Sequence, residues 1–168
     1  ADEQNERNGE WRLDVYRGIP VFRVSTPQEI NMDWRAANEM VARRFAQILR
    51  THTPDLVHIH CLQRLGVIVA ETCKEFGIPY VVTLHDAWWL SDYPFLTDKN
   101  GRPVSVGSDF RVQKRLAGVA AETSLLRARR LRKALTGAHE RLAVSESFAR
   151  IYRDCGIECQ VIENGSSR

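Results

Sequence analysis

The sequence has no long uncharged apolar run and only four cysteines among its 168 residues. A membrane-spanning helix needs about 20 predominantly apolar residues in a row, so the sequence predicts no membrane span. The cysteines lie within or beside apolar segments rather than at the spacings of a disulfide framework, which predicts free thiols in a reducing, cytoplasmic setting. The closest pair has CxxxC spacing. Without a second pair of cysteine or histidine ligands, this spacing is weak evidence for a metal site or a disulfide. The four residues are Cys61, Cys73, Cys155 and Cys159.

Net charge is also low for a chain of this length. The formal charge is +3 and 43% of the residues are hydrophobic, which excludes a disordered tail and fits one soluble domain with its own core. The first ten residues are polar and carry no signal for a helix or strand, and residues 164–168 have the composition of a turn. We therefore expect the sequence to be part of a longer protein.

The hydrophobic pattern alternates between strand and helix along the chain. Two strand-like runs come first, at 11–16 and 19–24, and helical patterns then alternate with short apolar strands. This alternation predicts a Rossmann-like α/β fold, in which a parallel sheet is sandwiched by helices. The predicted helices cover 32–52, 65–76, 111–135 and 146–154, and the later predicted strands cover 56–60, 80–84, 142–144 and 160–162.

Polar residues stand where the predicted parallel strands end. His60 ends one strand, the pair His85-Asp86 follows the next, and Ser145 follows a third. Ligands of such sheets bind at the carboxyl ends of the strands, so His60, His85 and Asp86 are candidate site residues. A helix N-cap role accounts for Ser145.

Two adjacent tryptophans, Trp88 and Trp89, come next in a segment without clear periodicity that spans residues 86–110. Aromatic rings pack on flat apolar surfaces, including those of sugar rings. Adjacent side chains usually point apart, so we expect one tryptophan to anchor the loop in the core. Long segments of this kind are usually functional or mobile. This one could be an acceptor-side lid or an inert insertion, and Asn100-Gly101 favours a hairpin within it.

Four short motifs occur in a recognisable order: PDLVHIH at 54–60, GIPYVVTLHD at 77–86, AVSES at 143–147 and VIENG at 161–165. Together they resemble the N-terminal domain of family 4 glycosyltransferases of the GT-B fold. The resemblance implies a domain that binds the acceptor, while a separate C-terminal domain grips the nucleotide sugar. It further implies retaining transfer from a nucleoside-diphosphate sugar to a glycan or lipid-linked acceptor, with no cofactor, in polysaccharide or glycoconjugate biosynthesis.

The resemblance also implies roles for individual residues. His85 matches the family's active-site histidine, expected to line the donor sugar's position, and Asp86 is the second catalytic candidate. Asp86 could orient His85, accept a hydrogen bond from an acceptor hydroxyl, or cap the loop by bonding its own backbone. The expected acceptor-binding residues are His60, Trp88, Trp89 and Tyr93.

Two family features are not found in the sequence. Residues 1–10 do not contain the family's first strand with its glycine-rich turn, and residues 1–168 do not include the nucleotide-binding domain. We therefore expect residues 1–168 to be the acceptor-side domain alone and to be inactive without the remainder of a longer protein.

Basic residues spread over one side of the predicted helix at 111–135, opposite a row of leucines and an alanine. This pattern is typical of a solvated face. Because family members often use lipid-linked acceptors, it could also contact anionic headgroups at the inner face of the membrane. No nucleic-acid motif or interleaved aromatics accompany the charges, so we predict no nucleic-acid partner. The residues are Arg127, Arg129, Arg130 and Lys133.

Two alternatives to a transferase follow from the same residues. His58 and His60 share a strand face, so together with His85 they could bind zinc, as in metal-dependent amidohydrolases. Such enzymes need a full β/α barrel, which is longer than this chain. We therefore predict no metal, with His58 buried and structural and His60 facing the acceptor. A non-catalytic sugar- or nucleotide-binding module is the other alternative.

Overall fold

A computed structural model of the chain describes residues 10–26, 33, 35–98, 100–106 and 121–165, without the side chains of 121–125. This part of the chain contains six strands and four helices. The strands are β1 (Trp11–Tyr16), β2 (Ile19–Val24), β3 (Val57–Ile59), β4 (Tyr80–Leu84), β5 (Glu140–Ala143) and β6 (Gln160–Val161). The helices are α1 (Glu39–His52), α2 (Ile68–Glu75), α3 (Ala121–Thr136) and α4 (Glu146–Asp154).

The first two strands form an antiparallel hairpin that is not hydrogen-bonded to the main sheet. Its turn consists of Arg17 and Gly18, whose φ angles are 50° and 82°. Positive φ at both central residues matches the right-handed twist of the flanking strands. The ring of Phe22 contacts His52 at the end of α1, with 5.2 Å between ring centroids, so the hairpin packs beside that helix.

The main sheet has the strand order β3-β4-β5-β6, and all its pairs are parallel. Each strand lies next to the one that follows it in sequence, with α2, α3 and α4 in the successive connections. Right-handed crossovers that all advance in one direction place these three helices on the same face of the sheet. The predicted α/β fold with a parallel sheet is confirmed.

The core lies on one face of this sheet. The register pairs Ile59 with Val82 and Leu84 with Ala143, and paired residues of parallel strands point to the same side. All four are buried, together with Leu131 of α3 and Tyr152 of α4. The opposite face is less well covered in the described part of the chain, because His58 is exposed and Val81 is only half-buried.

Two helices begin later than the hydrophobic pattern predicts. Helix α1 begins at Glu39, after Asn38, whose side chain accepts a hydrogen bond from the backbone N–H of Val41. Helix α2 begins at Ile68 because Arg64 and Gly66 have positive φ angles of 67° and 88°. A Cβ at Gly66 would lie 2.9 Å from the carbonyl oxygen of Ala36, so the close approach of two loops fixes this boundary.

The other predicted boundaries agree with the structure to within two residues where it describes them. Strands β1, β2 and β4 and helix α4 have the predicted limits, and Ser145 caps α4 by accepting from the N–H of Phe148. Strand β5 begins two residues earlier than predicted. The first part of the predicted helix 111–135 lies outside the described residues, and α3 covers the remainder.

A short hairpin occupies part of the segment after β4. Thr97 pairs with Pro103, and the carboxylate of Asp98 accepts hydrogen bonds from the backbone N–H groups of Asn100 and Arg102. The predicted turn at Asn100-Gly101 is confirmed. None of the described helices is both long and apolar enough to cross a membrane, and all four cysteines are free.

Candidate active site

Two histidines meet at the carboxyl edge of the sheet. His60 follows β3 and His85 follows β4, and these strands are direct neighbours. The Nδ1 atom of His60 lies 2.9 Å from the Nε2 atom of His85, a hydrogen-bonding distance. Both side chains are exposed. The sequence predicted that strand ends would assemble the site, and the structure brings these two predicted residues together.

A third histidine extends the pair along the strand. His58 lies on the same side of β3 as His60, with 4.2 Å between their ring centroids. Its Nε2 atom is 2.7 Å from the hydroxyl oxygen of Thr83. The prediction that His58 is buried is wrong, because it lies on the open face of the sheet and is exposed. No group of three or more potential ligands in the described residues is arranged to hold a metal ion.

The environment of His60 favours its neutral form. Partial burial lowers the pKa of its imidazole, and the neighbouring His58 and His85 lower it further, because a positive charge on any one ring disfavours charge on the next. The site therefore contains an imidazole that stays neutral near pH 7. A neutral imidazole has one donor and one acceptor nitrogen.

Asp86 is held in a local turn. Its Oδ1 atom accepts a hydrogen bond of 2.8 Å from the backbone N–H of Trp88, and its Oδ2 atom accepts one of 3.3 Å from Gln63. Burial raises the pKa of the Asp86 carboxyl, while the Trp88 hydrogen bond and nearby His85 act in the opposite direction. Of the three roles considered for Asp86, loop capping is the one that its contacts display. No sequence pattern marks Gln63 as a residue of the site.

Both tryptophans lie in the core rather than facing a ligand. Trp88 is 2% exposed and Trp89 is 4% exposed, and their rings pack edge to face. The indole N–H of Trp88 donates to the backbone carbonyl of Asp33 at 2.7 Å. The expectation that one of the two offers a ring face to an acceptor does not hold in this structure. Packing on both rings fixes the loop that carries Asp86.

Two residues that the sequence did not single out for this role support the same loop. The hydroxyl of Tyr152 in α4 donates to the backbone carbonyl of Asp86 at 2.7 Å. The guanidinium of Arg127 in α3 donates to the backbone carbonyl of Trp88 at 3.2 Å and lies 4.9 Å from the centre of its indole ring. Both side chains are buried, so helices α3 and α4 hold the loop from behind.

Tyr93 lies in the segment that returns towards this loop. Its side chain is half-buried, and its backbone N–H donates to the hydroxyl of Ser91. The next residue, Pro94, accepts a hydrogen bond from the N–H of Ala87 at 2.8 Å. This bond brings the backbone beside Tyr93 close to the end of β4, so Tyr93 remains a candidate for the acceptor side.

The predicted basic face of α3 does not form a continuous surface. Arg127 is buried and its guanidinium lies 3.3 Å from Asp92. Arg130 forms a bidentate pair with Glu71 of α2, with N–O distances of 2.7 and 2.6 Å. Arg129 and Lys133 are exposed. Two of the four charges thus stabilise the domain itself, which weakens the proposed contact with anionic headgroups.

Comparison with known families decides the identity of the domain. The family model described as Glycosyltransferase Family 4 matches residues 2–166, nearly the whole chain. The chain belongs to glycosyltransferase family 4. Membership in family 4 establishes a transferase domain that works with a sugar donor and an acceptor. No curated protein and no solved structure matches the chain.

In this family 4 domain the predicted residues therefore separate into two groups. His60, His85 and Asp86 gather at the carboxyl ends of β3 and β4, where ligands of such sheets bind. The tryptophans lie behind them and form part of the core. The site is an open edge with polar groups, backed by a rigid apolar layer.

Proposed function

We propose that this domain is the acceptor-side half of a retaining glycosyltransferase of the hexosyltransferase type. The full-length protein would transfer a sugar from a nucleoside-diphosphate sugar to a glycan or lipid-linked acceptor, with no further cofactor. The observation that carries this proposal is the exposed His85 at the end of a central strand, hydrogen-bonded to His60. The strand holds the imidazole in place at the edge where a substrate would bind.

The chemistry of sugar transfer suits this arrangement. The transition state develops positive charge on the sugar ring and negative charge on the departing phosphate. Preorganised dipoles and hydrogen-bonding groups lower its energy because they need no reorganisation during the reaction. In this proposal His85 contacts hydroxyl groups of the donor sugar beside the reacting carbon, and Asp86 shapes the loop that presents His85.

The direct test measures nucleotide release by the full-length protein with a panel of nucleotide sugars and acceptors. We expect release with one donor class, and a fall of about a hundredfold or more in kcat/KM for His85→Ala. His139→Ala is the matched control, because His139 is also exposed but lies before β5. The His139→Ala variant should have the same activity as the wild type.

Two results would contradict the proposal. Turnover that is unaffected by His85→Ala, with the fold intact by circular dichroism, would remove His85 from the reaction. Tight binding of a nucleotide sugar without turnover under any condition would instead indicate a binding module.

A further inference from the structure

We propose that His60 is a positioning residue that fixes the tautomer and orientation of His85, rather than a residue that binds the acceptor. This inference rests on the proposed role of His85 and assigns His60 a part in the same site. It follows from the hydrogen bond between Nδ1 of His60 and Nε2 of His85, which the separation of 25 residues in sequence does not reveal.

The backbone on both sides of this bond is fixed by the sheet. Ile59 and Leu84, the residues that precede the two histidines, are 4% and 0% exposed. Ile59 pairs with Val82 in the ladder between β3 and β4. Because these apolar neighbours hold both strand ends, the imidazoles meet without ordering a flexible segment, and little conformational entropy is lost.

Proton counting restricts how the two rings can share the bond. One of the facing nitrogens must carry a hydrogen and the other must not. If His85 donates from Nε2, both neutral rings take the Nε2–H form, which is the more stable tautomer of histidine in water. If His60 donates from Nδ1, both must take the less stable form. The geometry therefore favours donation by His85, which leaves Nδ1 of His85 as an acceptor for a substrate hydroxyl.

The charges around the pair support this assignment. Two titratable groups interact with the pair: His58 lies beside His60, and the carboxylate of Asp86 lies near His85. Burial and the other two histidines lower the pKa of His60, so its imidazole is neutral and its Nδ1 lone pair is available near pH 7. Within the described residues, no hydrogen bond reaches Nδ1 of His85 that would compete with a substrate.

The first test measures tautomers directly by long-range ¹H–¹⁵N correlation spectroscopy of the ¹⁵N-labelled protein near pH 7.5. In the wild type we expect His85 to carry its hydrogen on Nε2. In His60→Phe, which keeps a ring but has no acceptor, the ratio of the two His85 tautomers should shift by about fivefold, as expected for the loss of one exposed hydrogen bond. In His60→Asn, whose Oδ1 atom can replace Nδ1, the wild-type ratio should return.

The tautomer measurement has a matched control variant and one result that would overturn the inference. His139→Phe should leave the His85 signals unchanged, since His139 lies before β5 and away from the pair. Thermal unfolding checks that each variant is folded. A His85 tautomer ratio that is the same in wild type and His60→Phe would overturn the inference, whether or not the protein proves to be a transferase.

Kinetics separate positioning from acceptor binding. A positioning role predicts that His60→Phe lowers kcat with little change in the KM for the acceptor, and that His60→Asn restores much of the loss. A rise in the KM for the acceptor with kcat unchanged would show that His60 contacts the acceptor and would overturn the positioning role. If the full-length wild-type protein has no transferase activity, the proposed function fails, and the spectroscopic result still decides the contact between His60 and His85.

Discussion

Replacing Arg127 by methionine should destabilise the domain far more than the same change at Arg130. Arg127 is 7% exposed, and its guanidinium lies 3.3 Å from Asp92, 3.2 Å from the carbonyl of Trp88 and 4.9 Å from the indole centre. Removing one member of a buried pair costs about 3–5 kcal/mol because the other charge is left buried. The side chain of Asp92 is 23% exposed, so water restores part of the loss, and we expect about 3 kcal/mol.

Arg130 is a matched control on the same helix. Its pair with Glu71 has good geometry, but the two side chains are 37% and 32% exposed, so we expect a loss of about 1 kcal/mol or less. The difference between the variants is about 2 kcal/mol, or roughly a 30-fold difference in the ratio of folded to unfolded protein.

Urea unfolding followed by tryptophan fluorescence measures both variants, and the same proteins can be tested for binding to anionic vesicles. Equal unfolding free energies for Arg127→Met and Arg130→Met would refute the reasoning from burial. A stable Arg127→Met variant that has lost vesicle binding would show that this arginine faces a membrane, and the assignment of Arg127 to the core would be wrong.

Two further predictions concern Asp86 and Tyr80. Asp86→Asn keeps an oxygen that can accept from the N–H of Trp88, so it should retain transfer activity within about threefold, whereas a loss of a hundredfold would show that the carboxylate takes part in proton transfer. Burial raises the pKa of Tyr80 to about 12, so the folded protein holds this proton while the unfolded chain releases it near pH 10. That contribution to stability is present below pH 10 and is lost as the pH rises towards 12. This rise in the pKa of Tyr80 corresponds to about 3 kcal/mol, of which about 2 kcal/mol is lost between pH 9 and pH 11.5. Tyr80→Phe should remove this part of the difference between unfolding free energies measured at pH 9 and at pH 11.5.

The strands and their ends could be read from the sequence because they depend on local patterns. Short apolar runs rich in β-branched residues, bounded by Gly77-Ile78-Pro79 or by polar residues, specify buried parallel strands almost independently of their partners. A parallel sheet then requires the strand ends to share one edge. For this reason the sequence predicts His60 and His85 as site residues, while the hydrogen bond between them is visible only in the structure.

The start of α2 differs from the predicted one because a tertiary contact sets it. The helical pattern of hydrophobic residues extends N-terminally of α2, but the helix begins only at Ile68. The backbone at Gly66 approaches Ala36 so closely that only glycine fits. The spacing of hydrophobic residues along the chain does not indicate such a close approach between two loops.

The burial of individual side chains was decided by the tertiary structure alone. The sequence predicts that one of Trp88 and Trp89 is buried and that Arg127 lies on a solvated face, whereas all three side chains are buried in the structure. In the folded domain the guanidinium packs over the indole and helices α3 and α4 close behind the loop. The sequence by itself determined the order of the elements and the edge where the site lies, since both follow from local periodicity. Only the tertiary structure decided which side chains face that edge, because burial depends on elements that are distant in sequence.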